Sequence, residues 1–312
     1  MIDSDDNYCI IGFGNHAQTK LLPSLIKLEK KIFGIVSKKI NFNYQIEIFK
    51  NLDDALLFSN KDTYFVISTP PQLHFLQTKK ILENNRNVFL EKPGFINEDE
   101  VGMIYEIIKN NNLFVVELLM YKYTKLYQKF LKIWYQNKKK CTKITCVFNI
   151  PKIPPNTFRD NRDIYSSPLY DIGCYLITLL VDLNLSLRNL KIIKIISKKS
   201  KVKQFYINGF DNKIEIYLEF GISDKYENYV SLDLEKKSNI KFENFFNGRE
   251  IRKKIIYKND NKYFENIICD VNGFETIFKH SHSYWIKNQS LRFDNLILVN
   301  EKLSSFVKDI NS

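Results

Sequence analysis

Short apolar runs alternate with amphipathic stretches through residues 1–120, and the pattern changes after them. Tyr8-Cys9-Ile10-Ile11 is an apolar run of β character, followed by a segment with Ala17, Leu21, Leu25 and Leu28 on one helical face. Pro23 lies inside that segment and is expected to kink it. Residues 31–36 read as a second strand, 53–58 as a short helix and 63–67 as a buried strand. A helix over 73–84 leads to a strand over 87–90. Asn97 then caps a helix whose first turn is acidic, and 113–116 is a fifth strand. Strands alternating with helices predict an α/β unit built on a doubly wound parallel sheet.

After a helix around 122–136 the strands become longer and closer together, at 143–150, 191–197, 203–207, 213–220, 229–235, 240–245 and 250–257. That spacing predicts an α+β domain with a mostly antiparallel open sheet, closed by an amphipathic helix over 291–310. The expected domains are 1–120 and 121–312.

Ligands bind at the carboxyl ends of strands in a doubly wound sheet, and the notable residues fall there. Gly12-Phe13-Gly14-Asn15-His16-Ala17 follows the first strand and opens a helix, the context a G-x-G-x-x-A dinucleotide fingerprint requires. Gly12 allows the tight turn, Gly14 the approach of the pyrophosphate, and Ala17 close packing of helix on strand. The predicted N-terminal domain is therefore of Rossmann type. An acidic residue after the second strand would bind the ribose of NAD; here Ser37-Lys38-Lys39 stands there, suiting the 2′-phosphate of NADP. The plainer reading is a solvated pair of lysines. Thr69-Pro70 and Glu91-Lys92-Pro93 occupy two further strand ends. His16 and His74 are candidate cofactor contacts, although a lone histidine near a helix start is as often structural.

In the second half, Asp171, Tyr175 and Thr178 fall at one-turn spacings, predicting a carboxylate and a phenol on one helical face. Gly173 and Cys174 between them would let another molecule approach the backbone. Such a face suits proton handling on a small molecule; a buried helix with a satisfied Asp and a core Tyr is the alternative.

Composition narrows the classes. The 312 residues are 44% hydrophobic and 26% charged, as in a soluble globular protein, and no apolar run approaches the ~18 residues a membrane span needs. The acidic N-terminus is unlike a signal peptide, and five cysteines without metal-ligand spacing fit reduced thiols, so a cytoplasmic location is expected. No metal site is expected. A net charge of +12 and a pI near 9.2 raise nucleic acid as a partner, but the lysines are dispersed and no binding stripe forms. An anionic small molecule would use the same field.

Together, the N-terminal fingerprint, Thr69-Pro70-Pro71 with His74, Glu91-Lys92-Pro93 and Asp171-Ile172-Gly173-Cys174-Tyr175 resemble the glucose–fructose oxidoreductase and inositol dehydrogenase (Gfo/Idh/MocA) family over nearly the whole chain. Tyr at the last position is similar to the glucose–fructose oxidoreductase and dihydrodiol dehydrogenase branch. Glu117-Leu118-Leu119-Met120-Tyr121-Lys122-Tyr123 resembles that branch's Glu-x-x-Met-Tyr-Arg segment.

The resemblance implies an NAD(P)-dependent oxidoreductase, NADP-preferring, acting on a sugar, cyclitol or sugar derivative. Lys92 and Tyr175 would handle the proton, assisted by Asp171, with the bond before Pro93 cis. Gly12, Phe13, Gly14, Asn15, His16, Ser37, Lys38, Lys39, Thr69, Pro70, His74, Glu91 and Lys92 would hold the cofactor. Lys122, Arg159, Asp171 and Tyr175 would face substrate, and a homodimer or homotetramer is implied. A free phenol titrates near about 10, so a neighbouring cation such as Lys92 would have to lower it for work near neutrality. Tyr165-Ser166-Ser167-Pro168 replaces a glycine-rich stretch of the family, and Thr178 stands where many relatives carry an acid or amide; both leave substrate identity open. The rival readings are a non-catalytic nucleotide-binding regulator or scaffold, and an NAD-dependent glycosidase-type relative.

Overall fold

A computed structural model describes residues 7–38, 45–151, 164–198, 201–259 and 262–311. The described residues form two compact units. One comprises those within Met1–Leu119 and Phe274–Ile297, the other those within Met120–Gly273 and Leu298–Ser312.

The first unit contains β1 (Asn7–Ile11), α1 (Leu22–Lys27), β2 (Lys31–Val36), β3 (Ile48–Phe49), α2 (Leu52–Phe58), β4 (Thr63–Ile67), α3 (His74–Glu83), β5 (Asn87–Leu90), α4 (Glu98–Lys109) and β6 (Val115–Glu117). Its six strands are parallel, in the order β3-β2-β1-β4-β5-β6, the doubly wound order of dinucleotide-binding sheets. The two-residue β3 was not anticipated, being too short to show a period. Residues 17–21 form a wide π-type turn that leads into α1, where Pro23 takes the second position, a place in the first turn that tolerates its missing N–H.

Alternation along the strands loads both faces of this sheet. Cys9, Ile11, Phe65, Ile67, Val88 and Leu90 join one buried cluster with Ala55, Ile81, Val101 and Ile104 from the helices. On the other face Tyr8, Tyr64, Phe89 and Phe114 form an aromatic layer with centroids 5.3–6.2 Å apart. Residues from the far end of the chain cover that layer: Phe278 lies 5.2 Å and Trp285 6.1 Å from the Phe89 ring.

In the second unit come α5 (Lys125–Asn137), β7 (Cys141–Ile150), α6 (Pro168–Asp171), α7 (Gly173–Asp182), β8 (Lys191–Lys198), β9 (Lys201–Asp211), β10 (Ile214–Ile222), β11 (Glu227–Leu234), β12 (Ser238–Glu243), β13 (Arg252–Asn259) and β14 (Lys262–Cys269). Then α8 (Gly273–Lys279) and α9 (His282–Lys287) lead to α10 (Gln289–Asn311). The expected mostly antiparallel sheet has eight strands in the order β14-β13-β12-β11-β7-β10-β9-β8; only β7 and β10 pair in parallel. Its buried face presents Phe205, Ile207, Ile216, Leu218, Phe220, Val230, Leu232 and Phe242. The opposite face carries cross-strand polar pairs, such as Lys143 with Glu215 at 3.0 Å and the Lys241 ammonium 4.2 Å from the Tyr229 ring centroid.

A buried ion pair ties three segments of this unit. Lys253 Nζ on β13 lies 2.9 Å from Asp270 Oδ2, and neither side chain is exposed to solvent. Asp270 Oδ1 also accepts from the amides of Lys125 (2.6 Å) and Val271 (2.9 Å), so the carboxylate caps the start of α5. Replacing one partner strands the other charge in the interior. We expect Asp270→Ala to lower unfolding free energy by about 3–5 kcal/mol in urea titrations, and Lys253→Met with Asp270→Leu to recover much of that loss.

Candidate functional site

The carboxyl edge of the parallel sheet brings several predicted residues together. After β1 the chain turns at Gly12, with φ +82°; a Cβ there would sit 2.8 Å from the Ser68 carbonyl oxygen, so only glycine fits. Gly14 differs, because a Cβ there would meet no protein atom within 4 Å. Its bareness satisfies no packing need of this chain and leaves room for a ligand against the backbone. Ala17 is fully buried under the helix. This loop therefore fits a dinucleotide, whose pyrophosphate would lie along Gly12–His16. Phe13 is buried, with its carbonyl accepting from the Gln18 side chain, and Asn15 is exposed.

Ser37 and Lys38 follow β2, with the Ser37 amide bound to the Phe49 carbonyl; no carboxylate occupies these two positions. Lys39 and Arg159 lie outside the described residues. Thr69, in the turn after β4, bonds through its hydroxyl to Gln77 Oε1 at 2.6 Å, with Pro70 beside it.

His16 Nε2 donates to Glu91 Oε1 at 2.9 Å, joining the glycine loop to the end of β5. Glu91 is buried, which would raise its pKa. The His16 and Lys92 charges and the Lys92 amide outweigh burial and hold it below its usual 4.5. Lys92 follows at an intermediate level of exposure, and its bond to Pro93 is cis. His74 is fully buried at the start of α3, with Nδ1 2.9 Å from the Pro93 carbonyl and Nε2 2.9 Å from the Thr69 carbonyl. Burial lowers its pKa against the pull of those carbonyls and of Glu91.

The second unit corrects one expectation about the Asp171–Tyr175 stretch. It is not one helix: α6 ends at Asp171, Ile172 sits at φ −117°, ψ −42°, and α7 starts at Gly173. Asp171 and Tyr175 thus lie on successive helical segments, and only Tyr175 and Thr178 share an uninterrupted one. Gly173 also has a packing reason rather than a ligand-facing one. A Cβ there would lie 2.9 Å from the Phe220 ring, so glycine lets α7 settle on β10. Asp171, Tyr175 and Thr178 are all buried. The Tyr175 ring stands among Tyr121, Phe148 and Phe246, at 5.6, 5.5 and 6.2 Å, and its hydroxyl lies 3.6 Å from the Met120 sulfur.

Lys122 pairs with Asp182 at 2.9 Å, and the Tyr127 hydroxyl donates to the same carboxylate at 2.6 Å. Burial, then Asp182, pushes the Tyr127 phenol well above its usual range, so it stays a donor. One participant went unnoticed in sequence: Asp182, at the end of α7, neutralises Lys122. Glu117, singled out in sequence only as the start of the segment through Tyr123, stands at the end of β6 and accepts from the Gly94 amide at 2.7 Å.

The strand order and the glycine loop at this edge give the first unit the form of a Rossmann-type dinucleotide-binding fold. Residues 7–118 match the family described as "Oxidoreductase family, NAD-binding Rossmann fold" (GFO_IDH_MocA). Oxidoreductase P35 of Formosa agariphila is 28% identical over 119 residues, 36% of this chain; the match spans little more than a third (37%) of that relative. Among solved structures, the fold is similar to the 3-ketoreductase KijD10 of Actinomadura kijaniata in complex with NADP and TDP-benzene (13% identity, 97% of each chain, TM-score 0.83). A dehydrogenase from Chromobacterium violaceum is also similar (15% identity, 98% of this chain and 95% of that one, TM-score 0.76). Among the described residues, no helix is long and apolar enough to cross a membrane.

A carboxyl that titrates lower in the folded chain than in the unfolded one stabilises the fold above the unfolded value, and that contribution is lost as pH falls through the folded one. Glu91→Gln is therefore expected to flatten the acid limb of the melting-temperature profile between about pH 5 and 3. Melting scans of both proteins across that range check it, and parallel acid limbs would contradict it.

Proposed function

We propose that the chain is an NAD(P)-dependent oxidoreductase, NADP-preferring, that moves a hydride to or from a carbonyl or secondary alcohol of a sugar, cyclitol or sugar derivative. The observation that carries this is the His16–Glu91 bond, which ties the dinucleotide loop to the residue preceding Lys92. A cation is thereby rooted beside the loop fitted for the cofactor.

The bound nicotinamide would supply or accept the hydride. The chain's own residues then bind and move the proton. Gly12–His16 receive the pyrophosphate, and Ser37 and Lys38 offer a hydroxyl and a charge where a 2′-phosphate would lie. Thr69 and Pro70 line the next strand end. In this reading the role of Lys92 is to polarise the reacting oxygen, and that of Tyr175 is to give or take a proton. The Tyr175 hydroxyl lies 3.6 Å from the Met120 sulfur, a weak acceptor. Asp171 holds substrate, while Lys122, already neutralised by Asp182, serves substrate less directly. A small anionic sugar derivative fits the net charge of +12.

Lys92→Ala is expected to abolish NADPH oxidation with a panel of keto-sugars while leaving NADPH binding, read by fluorescence, largely intact. Tyr175→Phe should slow the proton-transfer step by about 10² to 10⁴ and flatten the pH–rate profile. A wild-type turnover in Lys92→Ala would falsify its role, and NADPH binding without turnover of any panel member would favour a regulator instead. Ser37→Asp should shift preference from NADPH toward NADH; an unchanged ratio makes Ser37 and Lys38 bystanders.

A further inference from the structure

The turn that carries Lys92 is gripped at three successive residues by side chains, one from the adjoining Glu91 and two from other parts of the first unit. The Lys92 amide donates to Glu91 Oε2 at 3.3 Å, the Pro93 carbonyl faces His74 Nδ1 at 2.9 Å, and the Gly94 amide donates to Glu117 Oε1 at 2.7 Å. Pro93 and Gly94 are buried, and His74 is wholly so. His74 is a polar group costly to bury, and Glu117, half-buried at the end of β6, reaches the same turn from another strand. We propose that His74 and Glu117 are positioning residues: they set the root of the Lys92 side chain, and His74 couples that root to the Thr69 turn. This rests on the role given to Lys92 above.

The coupling follows from what the imidazole touches. One nitrogen reaches the turn after β5 and the other the turn after β4, where Thr69 and Pro70 are proposed to meet the cofactor. Neither nitrogen points away from the protein chain, so the ring acts as a strut and not as a ligand. A neutral ring donates to one carbonyl only; an imidazolium donates to both. In either state a shift of one turn is passed to the other through a rigid five-membered ring. Glu117 holds the Lys92 turn at Gly94, whereas His74 bonds both turns, so the two residues should separate in their effects. Lys92 has four rotatable methylene bonds, and a small displacement of its backbone moves the ammonium away from the reacting oxygen. Misplacement by about 1 Å costs on the order of 10²-fold in rate.

Glu117→Leu, Glu117→Gln and His74→Gln, each beside Lys92→Ala, test this in the full chain. Three quantities are measured: turnover of NADPH with the keto-sugar panel, NADPH affinity by fluorescence, and hydrogen exchange of the peptide containing Gly94. Glu117→Leu is expected to lose exchange protection at Gly94 and about 10²-fold in kcat, with NADPH affinity within about twofold. Glu117→Gln retains a carbonyl oxygen that can accept from Gly94, and should recover most of both. His74→Gln should lower kcat and weaken NADPH binding together. Wild-type kcat in Glu117→Leu alongside an inactive Lys92→Ala overturns the proposal, as does a Glu117→Gln variant no better than Glu117→Leu. If Lys92→Ala remains active, the role of Lys92 fails separately; unchanged exchange at Gly94 in Glu117→Leu then overturns the clamp as well.

Discussion

Glu91 is a carboxylate that burial alone would neutralise, and the charged groups beside it keep it ionised. It directly follows β5, and through His16 it is bonded to the loop after β1. Parallel strands place their carboxyl ends in one row, so loops distant in sequence become neighbours there. What the row needs is a means of holding those loops to one another rather than letting each move alone. The His16–Glu91 bond does that for the glycine loop, and His74 does it for the turns after β4 and β5. Each bond replaces solvation with a fixed partner, which is why the polar groups at this edge can be buried at modest cost.

That edge is possible only because the sheet behind it is covered on both faces. The helices after β3, β4 and β5 cover one side. The aromatic layer of Tyr8, Tyr64, Phe89 and Phe114 on the other is covered by Phe278 and Trp285, from a segment that leaves the second unit late in the chain. Phe293 at the start of α10 stacks on Tyr105 and joins the first cluster. Removing the segment would expose a large aromatic surface to water, at roughly 25 cal/mol for each Å² uncovered.

In the second unit the buried face is organised by α6 and α7 against β9 and β10. Gly173 lies directly on the Phe220 ring, and the backbone leaves helical geometry at Ile172. The narrow polar face expected across Asp171, Tyr175 and Thr178 is therefore split. Tyr175 stands in an aromatic cluster with a thioether beside its hydroxyl, while the neighbouring phenols Tyr121 and Tyr127 are held protonated, chiefly by burial and then by Asp182.

The order of strands and helices in the first unit, the glycine loop and the placing of Glu91-Lys92-Pro93 at a strand end were legible in the sequence, because each is written in local periodicity or in residues whose backbone demands are local. Gly12 is an instance: its φ of +82° is a demand that the residue type itself announces. Most of the second sheet was legible for the same reason, through strict alternation. β14 was not, since its exposed Tyr263, Phe264 and Ile267 follow no burial period. The helices α8 and α9, and their grouping with the first unit, were likewise decided by packing: Phe278 and Trp285 look like ordinary core residues until the aromatic layer they cover is known. The packing of Gly173 depended on Phe220, some fifty positions away, and the partners of Lys122, Pro93 and Gly94 are Asp182, His74 and Glu117. Hydrogen bonds between residues distant in sequence leave no period to read, so only the tertiary structure could assign them.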